Sequence, residues 1–263
     1  MNPTIAFPWM IALPLVAAPI IYLVGRLSVR SRAQSAAPAR WMAIVVLLVT
    51  AVLAFFAAQP ILQGKTLTPR DRMGIPPQEM PAQPPEERRA NMREVALGYS
   101  AEQARLEALR CLQCKNAPCI SGCPVRIDIP GFVKAIAEGR DADAIAIIRR
   151  NSLLPAVCGR VCPQEVQCQA QCTLGKSLKS VAKAVQIGRL ERWVADREKA
   201  CGACDIPAVG SSTGKKVAIV GSGPAGLTCA IDVRRQGHEV AVFEAFQKTG
   251  GVMVYGIPEF RLP

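Results

Sequence analysis

Acidic residues are absent from the first 65 positions of this 263-residue chain, where the only charges are Arg26, Arg30, Arg32, Arg40 and Lys65. Aromatic residues are also scarce, at 5% of the chain. No basic run is interleaved with aromatics, so the net charge of +12 does not predict a nucleic-acid partner. No basic segment precedes the first apolar stretch, which argues against a secretory signal peptide.

Two long apolar runs lie in this acid-free part of the chain. Ile5–Gly25 is 21 residues long and Trp41–Leu62 is 22 residues long. A helix rises about 1.5 Å per residue, so either run is long enough to cross a hydrocarbon core of about 30 Å. The sequence therefore predicts a membrane helical hairpin in residues 1–64, embedded through residues 5–62.

The charge distribution conflicts with that topology. The loop between the two runs carries four arginines and should stay cytoplasmic. Everything after residue 62 would then lie outside the cytoplasm, whereas the cofactor-binding parts of the chain are expected on the cytoplasmic side of the membrane. Three explanations stay open: a first segment that does not fully span, a broken charge rule, or a hairpin that is not native to the rest of the chain. In the last case a plain cytoplasmic location is expected.

Beyond the hairpin the composition predicts four further segments. Residues 65–85 contain six prolines and are typical of an extended linker. Residues 86–200 have no strand pattern and are expected to form an all-helical domain. Residues 201–214 form a joint, and residues 215–263 begin an α/β domain.

Helix signals are clear within residues 86–200. Ser100 and Gln103 form a capping box at the start of a helix that runs to the first cysteine. Asp128 is placed to cap a helix that Gly139 ends, and Asp141 to cap the next. A further helix is expected from about residue 181 to residue 199.

Ten of the eleven cysteines fall between residues 111 and 204. The first group, "CLQCKNAPCISGCP", has the pattern C-x2-C-x4-C-x3-C-P, and a second group spans residues 158–172. Iron–sulfur clusters need four soft thiolates, commonly several from one turn and one from elsewhere in the chain. Structural zinc is the alternative, but paired C-x2-C units of regular spacing are missing. We therefore expect two clusters held by reduced thiols.

A second motif occupies residues 215–245, "KKVAIVGSGPAGLTCAIDVRRQGHEVAVFEA". A strand, the turn Gly221-x-Gly223-x-x-Gly226, a helix and a second strand ending at Glu244 make up a dinucleotide-binding fingerprint. A complete doubly wound domain needs a third parallel strand. We expect an incomplete Rossmann-like domain and a chain that is a fragment.

From about Met80 to Pro263 the chain resembles the start of the small (beta) subunit of NADPH-dependent glutamate synthase. The same module occurs in dihydropyrimidine dehydrogenase and in the large subunit of NADH-dependent ferredoxin:NADP oxidoreductase. The matching stretches include "RCLQCKNAPCISGCPVRIDIPGF", "LPAVCGRVCPQEVQCQAQC", "IGRLERWVAD", "KVAIVGSGPAGLTCA" and "TGGVMVYGIPEFRLP". The fold class implied is α/β: a helical double [4Fe-4S] domain followed by the first βαβ part of an FAD-binding domain.

The resemblance also implies the cofactor sites. One [4Fe-4S] cluster would be held by Cys111, Cys114, Cys119 and Cys172, and the other by Cys123, Cys162, Cys168 and Glu191. Spacing alone favours Cys158 as the eighth ligand, whereas the resemblance makes it a neighbouring thiol. FAD would lie on Gly221, Ser222, Gly223, Pro224, Ala225 and Gly226, with Glu244 on its ribose and with Gly250 and Gly251 near the flavin.

The implied function is electron transfer from NADPH, bound on a domain absent from this chain, through FAD and the clusters to a partner. The partner would be an electron-accepting large subunit of glutamate synthase alpha type, or ferredoxin. No acid–base residue is expected, because hydride transfer is the cofactor's chemistry. Sulfide dehydrogenase and ferredoxin:NADP reductase are close alternatives. A non-catalytic membrane adaptor without FAD and a zinc-stabilised interaction module remain open.

Three cysteines and the hairpin fall outside this scheme. Cys201 and Cys204 form an extra C-x2-C, more typical of two surface thiols than of a redox pair. Cys229, in the fingerprint helix, is expected to be a small buried residue. The apolar N-terminus weakly resembles the first two helices of an antiporter-like subunit of respiratory complex I.

Overall fold

The computed structural model describes residues 67–202 and 206–263. The predicted membrane hairpin in residues 1–64 lies outside these residues. Within the described ranges, no helix combines the length and apolar character needed to cross a bilayer.

Helices build the part of the chain that carries the cysteines, and a two-stranded sheet comes after them. The helices before the sheet are α1 (Pro69–Gly74), α2 (Pro85–Arg88), α3 (Ala101–Leu109), α4 (Pro118–Gly122), α5 (Ile129–Ala137), α6 (Asp141–Arg149), α7 (Pro155–Val161), α8 (Thr173–Ser177) and α9 (Ile187–Ala200). Short 3₁₀ turns occupy Gln164–Val166 and Val181–Lys183. The rest comprises β1 (Lys216–Val220), α10 (Pro224–Arg235), β2 (Glu239–Phe243) and α11 (Val252–Tyr255).

Local capping starts two of the helices as the sequence predicts. Ser100 Oγ accepts a hydrogen bond from Gln103 N at 3.1 Å, and Gln103 Oε1 accepts from Ser100 N at 3.0 Å. Asp128 Oδ1 accepts from Gly131 N at 3.0 Å, and Gly139 after α5 has φ +82°. These side chains satisfy amide groups that the first helical turn leaves without partners.

Two other helix predictions are wrong in detail. Asp141 is the first residue of α6 rather than its cap, and its carboxylate pairs with Arg105 and Arg197, each at 2.7 Å. The last helix begins at Ile187, because residues 181–183 form a separate 3₁₀ turn.

The helical core forms where α9 packs against α7, α6, α5 and α3. Its buried side chains include Phe132 and Ile136 of α5, Ile148 of α6, and Leu190 and Val194 of α9. Removing this much apolar surface from water is the main favourable contribution to folding. The core therefore fixes the helix ends from which the cysteines project.

The proline-rich segment before α3 is more ordered than the extended linker expected from its composition. It contains α1, and Arg72 Nη1 donates to Cys111 O at 2.8 Å and to Leu109 O at 3.0 Å. Gln78 N donates to Glu107 Oε2 at 2.8 Å. The segment thus packs along α3 and reaches the first cysteine.

The α/β part has two parallel strands joined by a helix. β1 pairs with β2 in parallel, from Lys216↔Glu239 to Val220↔Phe243, and α10 packs on both strands. Cys229 on α10 is exposed, which corrects the expectation of a buried thiol. Two strands cover only one side of α10, so this helix buries none of its residues in the described part of the chain.

Candidate functional site

Four cysteines come together at the end of α3. Cys111, Cys114 and Cys119 lie in the segment from α3 to α4, and Cys172 immediately precedes α8. Burial and then the nearby Cys111 and Cys172 raise the pKa of the Cys119 thiol to about 12. Burial likewise raises the pKa of Cys111 to about 11, and Cys172 and Cys114 also raise it. These cysteines could ionise together only beside a cation that offsets their mutual repulsion.

The surrounding backbone is shaped to present this first thiol group. Gln113, between two of the cysteines, has φ +52°, which is uncommon for a residue with a side chain. Cys114 Sγ lies 3.4 Å from Thr173 Oγ1 at the start of α8. A tight turn and a hydroxyl contact therefore orient the thiols toward each other.

A second group forms between α7 and α9. Burial raises the pKa of the Cys168 thiol to about 12, with Cys123 and Cys162 the next causes and Glu191 another. Burial is also the main cause that raises the pKa of the Cys162 thiol, and the nearby Glu191 and Cys123 raise it further. These four residues are the predicted set for the second cluster, and the fold brings them within electrostatic reach of one another.

Glu191 is the unusual member of this group. Its side chain sits on α9 with 5% exposure, and burial raises its carboxyl pKa to about 8. Within the described part of the chain, Glu191 Oε1 is the single buried side-chain nitrogen or oxygen without a hydrogen-bond partner. Buried polar atoms are normally hydrogen-bonded or bound to a metal. The orphaned oxygen therefore fits a metal ligand.

Cys158 on α7 belongs to the same neighbourhood. Burial raises the pKa of its thiol to about 11, and Glu191 is the next cause. Its Sγ lies 3.9 Å from Ser152 Oγ. Sequence reasoning did not identify Ser152, which no motif distinguishes.

Close backbone packing brings α7 and α9 together at this group. A Cβ added to Gly159 would lie 2.5 Å from Arg192 N. Only glycine allows such an approach. Cys158 immediately precedes Gly159 in the sequence, and Glu191 immediately precedes Arg192.

An ion-pair network fastens the same two helices. Arg160, between Cys158 and Cys162, pairs with Glu94 at 2.7 Å and with Asp196 at 2.8 Å. Arg192 pairs with Glu94 at 3.0 Å and with Asp196 at 3.2 Å. Sequence reasoning missed this network, although the cation inside "CGRVCP" was a signal for it.

Seven soft thiols and one buried carboxylate suit two iron–sulfur clusters. In the two described ranges, no group of three or more His, Cys, Asp or Glu side chains is arranged to hold a single metal ion. A cluster places iron and sulfide between its ligands, so its thiolates need not converge on one point. The residues present therefore fit the clusters that the sequence predicts.

The glycine turn after β1 has the tight geometry of its motif. Gly221 has φ +94°, and a Cβ on Gly226 would lie 2.0 Å from Gly221 O. The turn leads into α10, whose first residue is Pro224. Free amides at the start of such a helix favour a phosphate.

Glu244 and two later glycines complete this second site. Glu244 Oε2 accepts hydrogen bonds from Ser222 N at 2.9 Å and from the Ser222 hydroxyl, which together hold its pKa down at about 2. Gly250 N donates to Ser222 O at 3.0 Å, and a Cβ on Gly251 would lie 2.8 Å from Gly223 Cα. The fold thus gathers the predicted cofactor residues around one turn, while Cys201 is exposed and Cys204 lies outside the described residues.

Two family models match the chain. Residues 88–203 match the family described as dihydropyrimidine dehydrogenase domain II, 4Fe-4S cluster. Residues 219–255 match the NAD(P)-binding Rossmann-like domain.

Curated relatives match over the same region. The glutamate synthase [NADPH] small chain of Escherichia coli K12 is 40% identical over 183 residues, which cover 69% of this chain and 38% of the relative. The NAD-dependent dihydropyrimidine dehydrogenase subunit PreT of the same organism is 41% identical over 170 residues, or 65% of this chain and 40% of the relative. The glutamate synthase [NADPH] small chain of Azospirillum brasilense is 36% identical over 186 residues, or 70% and 38%.

The chain thus spans about two fifths of the length of these relatives. The thiol groups and the glycine turn lie inside the matched regions. Residues 88–203 are therefore similar to the 4Fe-4S domain of dihydropyrimidine dehydrogenase domain II, residues 219–255 are similar to an NAD(P)-binding Rossmann-like domain, and the chain is a homologue of glutamate synthase small chains.

Proposed function

We propose that this chain is the iron–sulfur and flavin module of an NAD(P)H-dependent oxidoreductase of the glutamate synthase small-subunit type. The observation that carries the proposal is the pair of buried thiol groups, one of which lies near the unpartnered carboxylate of Glu191. The relatives named as glutamate synthase small chain and dihydropyrimidine dehydrogenase subunit support the reaction class.

The first cluster would be held by Cys111, Cys114, Cys119 and Cys172, and the second by Cys123, Cys162, Cys168 and Glu191. Burial and mutual repulsion keep the pKa of several of these thiols high in the empty protein. Binding a cationic cluster removes that penalty, because metal ligands must be deprotonated. The same burial excludes water, which protects clusters that pass single electrons.

FAD would bind at the glycine turn. The cofactor would lie along Gly221, Ser222, Gly223, Pro224, Ala225 and Gly226. This turn has little side-chain bulk, and the amides of Gly223, Ala225 and Gly226 at the start of α10 suit a pyrophosphate. Glu244 is ionised at neutral pH, and hydrogen bonds from Ser222 and from the Phe246 amide lower its pKa further, to about 2, so its carboxylate can accept from a ribose hydroxyl. Gly250 and Gly251 pack closely against Val254 and Gly223 beside the turn, so they would lie near the ring system.

The electron path would start at NADPH and pass through FAD and the two clusters. The acceptor would be a glutamate synthase large subunit or a ferredoxin-like protein. The matched relatives include both glutamate synthase and dihydropyrimidine dehydrogenase subunits, so the module is common to different electron acceptors.

Cofactor content of the full chain, produced and purified without oxygen, tests this proposal. We expect about eight iron and eight sulfide per chain, as two four-iron clusters require, and one FAD. Iron and sulfide without FAD would support the electron-transfer adaptor instead. Zinc without sulfide would overturn the proposal.

A further inference from the structure

The two segments that carry the first thiol group contain no acidic residue. Residues 111–127 and 166–190 hold no aspartate or glutamate, and they carry six basic side chains: Lys115, Arg126, Lys176, Lys179, Lys183 and Arg189. The stretch between them, residues 128–165, carries five acidic and five basic side chains. Within residues 111–190 the basic excess therefore falls in the segments that hold the first thiol group.

Four exposed lysines lie around this thiol group, and we call them the lysine face: Lys115, Lys176, Lys179 and Lys183. Lys176 lies on α8, which begins directly after Cys172. Lys183 O accepts a hydrogen bond from Arg110 Nη2 at 2.5 Å, and the residue after Arg110 is the first cysteine. Cys114 Sγ lies 3.4 Å from Thr173 Oγ1, which brings the loop with Lys115 beside α8.

Acidic neighbours do not neutralise the lysine face. Its four lysines form no ion pair with any residue in the part of the chain that the structure describes. Two acids lie on elements packed beside the first cysteine, but Glu107 is fully buried against Arg110, and Asp71 accepts from Thr68 N at 2.9 Å and lies between two arginines in the sequence. The face therefore presents uncompensated positive charge to solvent.

A small apolar surface lies between two of the lysines. Val181 is 41% exposed and Ala182 is also exposed, and both lie between Lys179 and Lys183 in the sequence. The 3₁₀ turn holds this segment in place, and Gln169 Nε2 donates to Val181 O at 3.2 Å. An apolar centre with a polar rim is typical of protein–protein interfaces.

The composition of the two segments disfavours other anionic partners. Residues 111–127 and 166–190 contain no phenylalanine, tyrosine or tryptophan. Single-stranded nucleic acids are commonly bound by stacking on aromatic side chains, and aromatic side chains also anchor proteins at membrane interfaces. A folded acidic protein is the partner that needs neither.

We propose that the lysine face docks an electron-carrier protein that surrounds its own redox centre with carboxylates, as an acidic ferredoxin does. An electron that passes from the first cluster to another protein crosses the surface near that cluster, and this surface carries the lysines. Complementary charge speeds the encounter and orients the partner, whereas a basic carrier is repelled. The inference rests on the proposed function, because it presupposes the first cluster.

Titration of the full chain, purified without oxygen, with an acidic two-iron ferredoxin tests the proposal by calorimetry. The ferredoxin should bind, and its affinity should fall as salt is raised, since the Debye length shrinks from about 30 Å at 0.01 M to about 10 Å at 0.1 M. Lys179→Glu combined with Lys183→Glu should weaken binding about tenfold or more at low salt, because the reversed charges repel the partner. Val181→Ser should weaken binding without changing its salt dependence.

The control is Lys199→Glu combined with Lys215→Glu, which reverses two exposed lysine charges outside the face. It should bind ferredoxin like the unaltered chain. Each variant is compared at an iron content of about eight per chain, which shows that its clusters are intact. If the Lys179→Glu and Lys183→Glu pair lowers the iron content, Lys179→Gln combined with Lys183→Gln replaces it and should weaken binding by a smaller factor.

Three results would overturn the inference and leave the proposed function standing. The first is no binding of ferredoxin by a chain that holds about eight iron. The second is unchanged binding in the Lys179 and Lys183 variants, since the lysines would then only offset the charge of the cluster. The third is equal weakening by the control pair, which would indicate attraction to any anion.

Vesicles that contain phosphatidylglycerol are the second probe. Binding to these vesicles that depends on Lys179 and Lys183, without binding of ferredoxin, would assign the face to a membrane and overturn the inference. A chain without iron and sulfide would overturn the proposed function, and the inference with it.

Discussion

At the scale of single residues, replacing one proposed cluster ligand should remove the cluster that this ligand holds. Cys119 has the most perturbed thiol of the first group, with a pKa raised to about 12 by burial and by its cysteine neighbours. Cys119→Ser should lower the iron content by about half, because one of the two proposed clusters loses a ligand. Iron and sulfide assays on anaerobically purified protein measure the effect, with Cys158→Ser as the variant expected to retain nearly all of the iron.

The outcome discriminates between two ligand sets. If Cys158→Ser loses a whole cluster, Cys158 is a resident ligand and the assignment of Glu191 is wrong. If Cys119→Ser keeps all the iron, Cys119 does not bind the first cluster.

Gly226 and Gly223, both in the glycine turn, allow a matched comparison of two single-residue substitutions. A Cβ on Gly226 would lie 2.0 Å from Gly221 O, whereas one on Gly223 would meet no atom within 4 Å. Gly226→Ala should therefore lower the free energy of unfolding of this part by about 1–3 kcal/mol, as overpacking does. Gly223→Ala should leave stability unchanged. Both variants should bind FAD more weakly, because the methyl group at Gly223 would face the proposed pyrophosphate and the one at Gly226 would distort the turn against Gly221 O.

Urea unfolding and flavin titration check the two halves of that prediction separately. Equal stability of the two variants would contradict the close contact at Gly226. Normal FAD affinity in both variants would show that the flavin does not bind at this turn.

At the scale of the elements, a buried ion pair ties two segments to α3. Glu107 and Arg110 are both fully buried and lie 2.5 Å apart. Arg110 donates to the carbonyl oxygens of Ile75 and Ala184, and Glu107 accepts from Gln186 N. The pair therefore holds the segment before α3 and the segment before α9 beside the first cysteine.

Removing one member of this pair should be costly. Glu107→Ala leaves a buried guanidinium without its anion, so we expect a loss of about 3–5 kcal/mol of unfolding free energy. Glu86→Ala breaks the exposed pair with Arg89 and should cost at most about 1 kcal/mol. Denaturant unfolding of the two variants under identical conditions measures the difference, and similar losses would contradict the structural role of the pair.

Elements fixed by local sequence were the predictable ones. The caps at Ser100 and Asp128 depend on residues three positions away, and the structure confirms both. Asp141 was misassigned because its partners Arg105 and Arg197 come from distant helices. Cys229 was misjudged because its exposure depends on how many strands cover α10.

The residues of the candidate site were also predictable only in part from the sequence. Spacing marked the cysteines and the glycine turn, but it could not distinguish Cys158 from Glu191 as a ligand. That choice depends on the crossing of α7 and α9 and on the orphaned oxygen of Glu191, which only the fold reveals. The network around Arg160 was hidden for the same reason, since its anions lie 66 and 36 residues away.

At the scale of the whole molecule, the cysteine-bearing helices and the α/β part meet near the last residues of the chain. Val95 N donates to Phe260 O at 3.0 Å. A cavity of about 850 Å³ lies there, lined by Phe260 and Arg261 on one side and by Arg160 and Arg192 on the other. The two parts are in contact, but each assembles its own cofactor residues from its own elements.

This arrangement predicts that the two kinds of cofactor are lost independently. Cys119→Ser should lose about half of the iron and keep the FAD of the unaltered chain, because no residue of the glycine turn belongs to the thiol groups. Gly226→Ala should lose FAD affinity and keep about eight iron, because its defect is confined to the turn between β1 and α10. Iron, sulfide and flavin measured on the same preparations of both variants check the prediction. Loss of flavin in Cys119→Ser, or loss of iron in Gly226→Ala, would mean that the two parts fold as one cooperative unit.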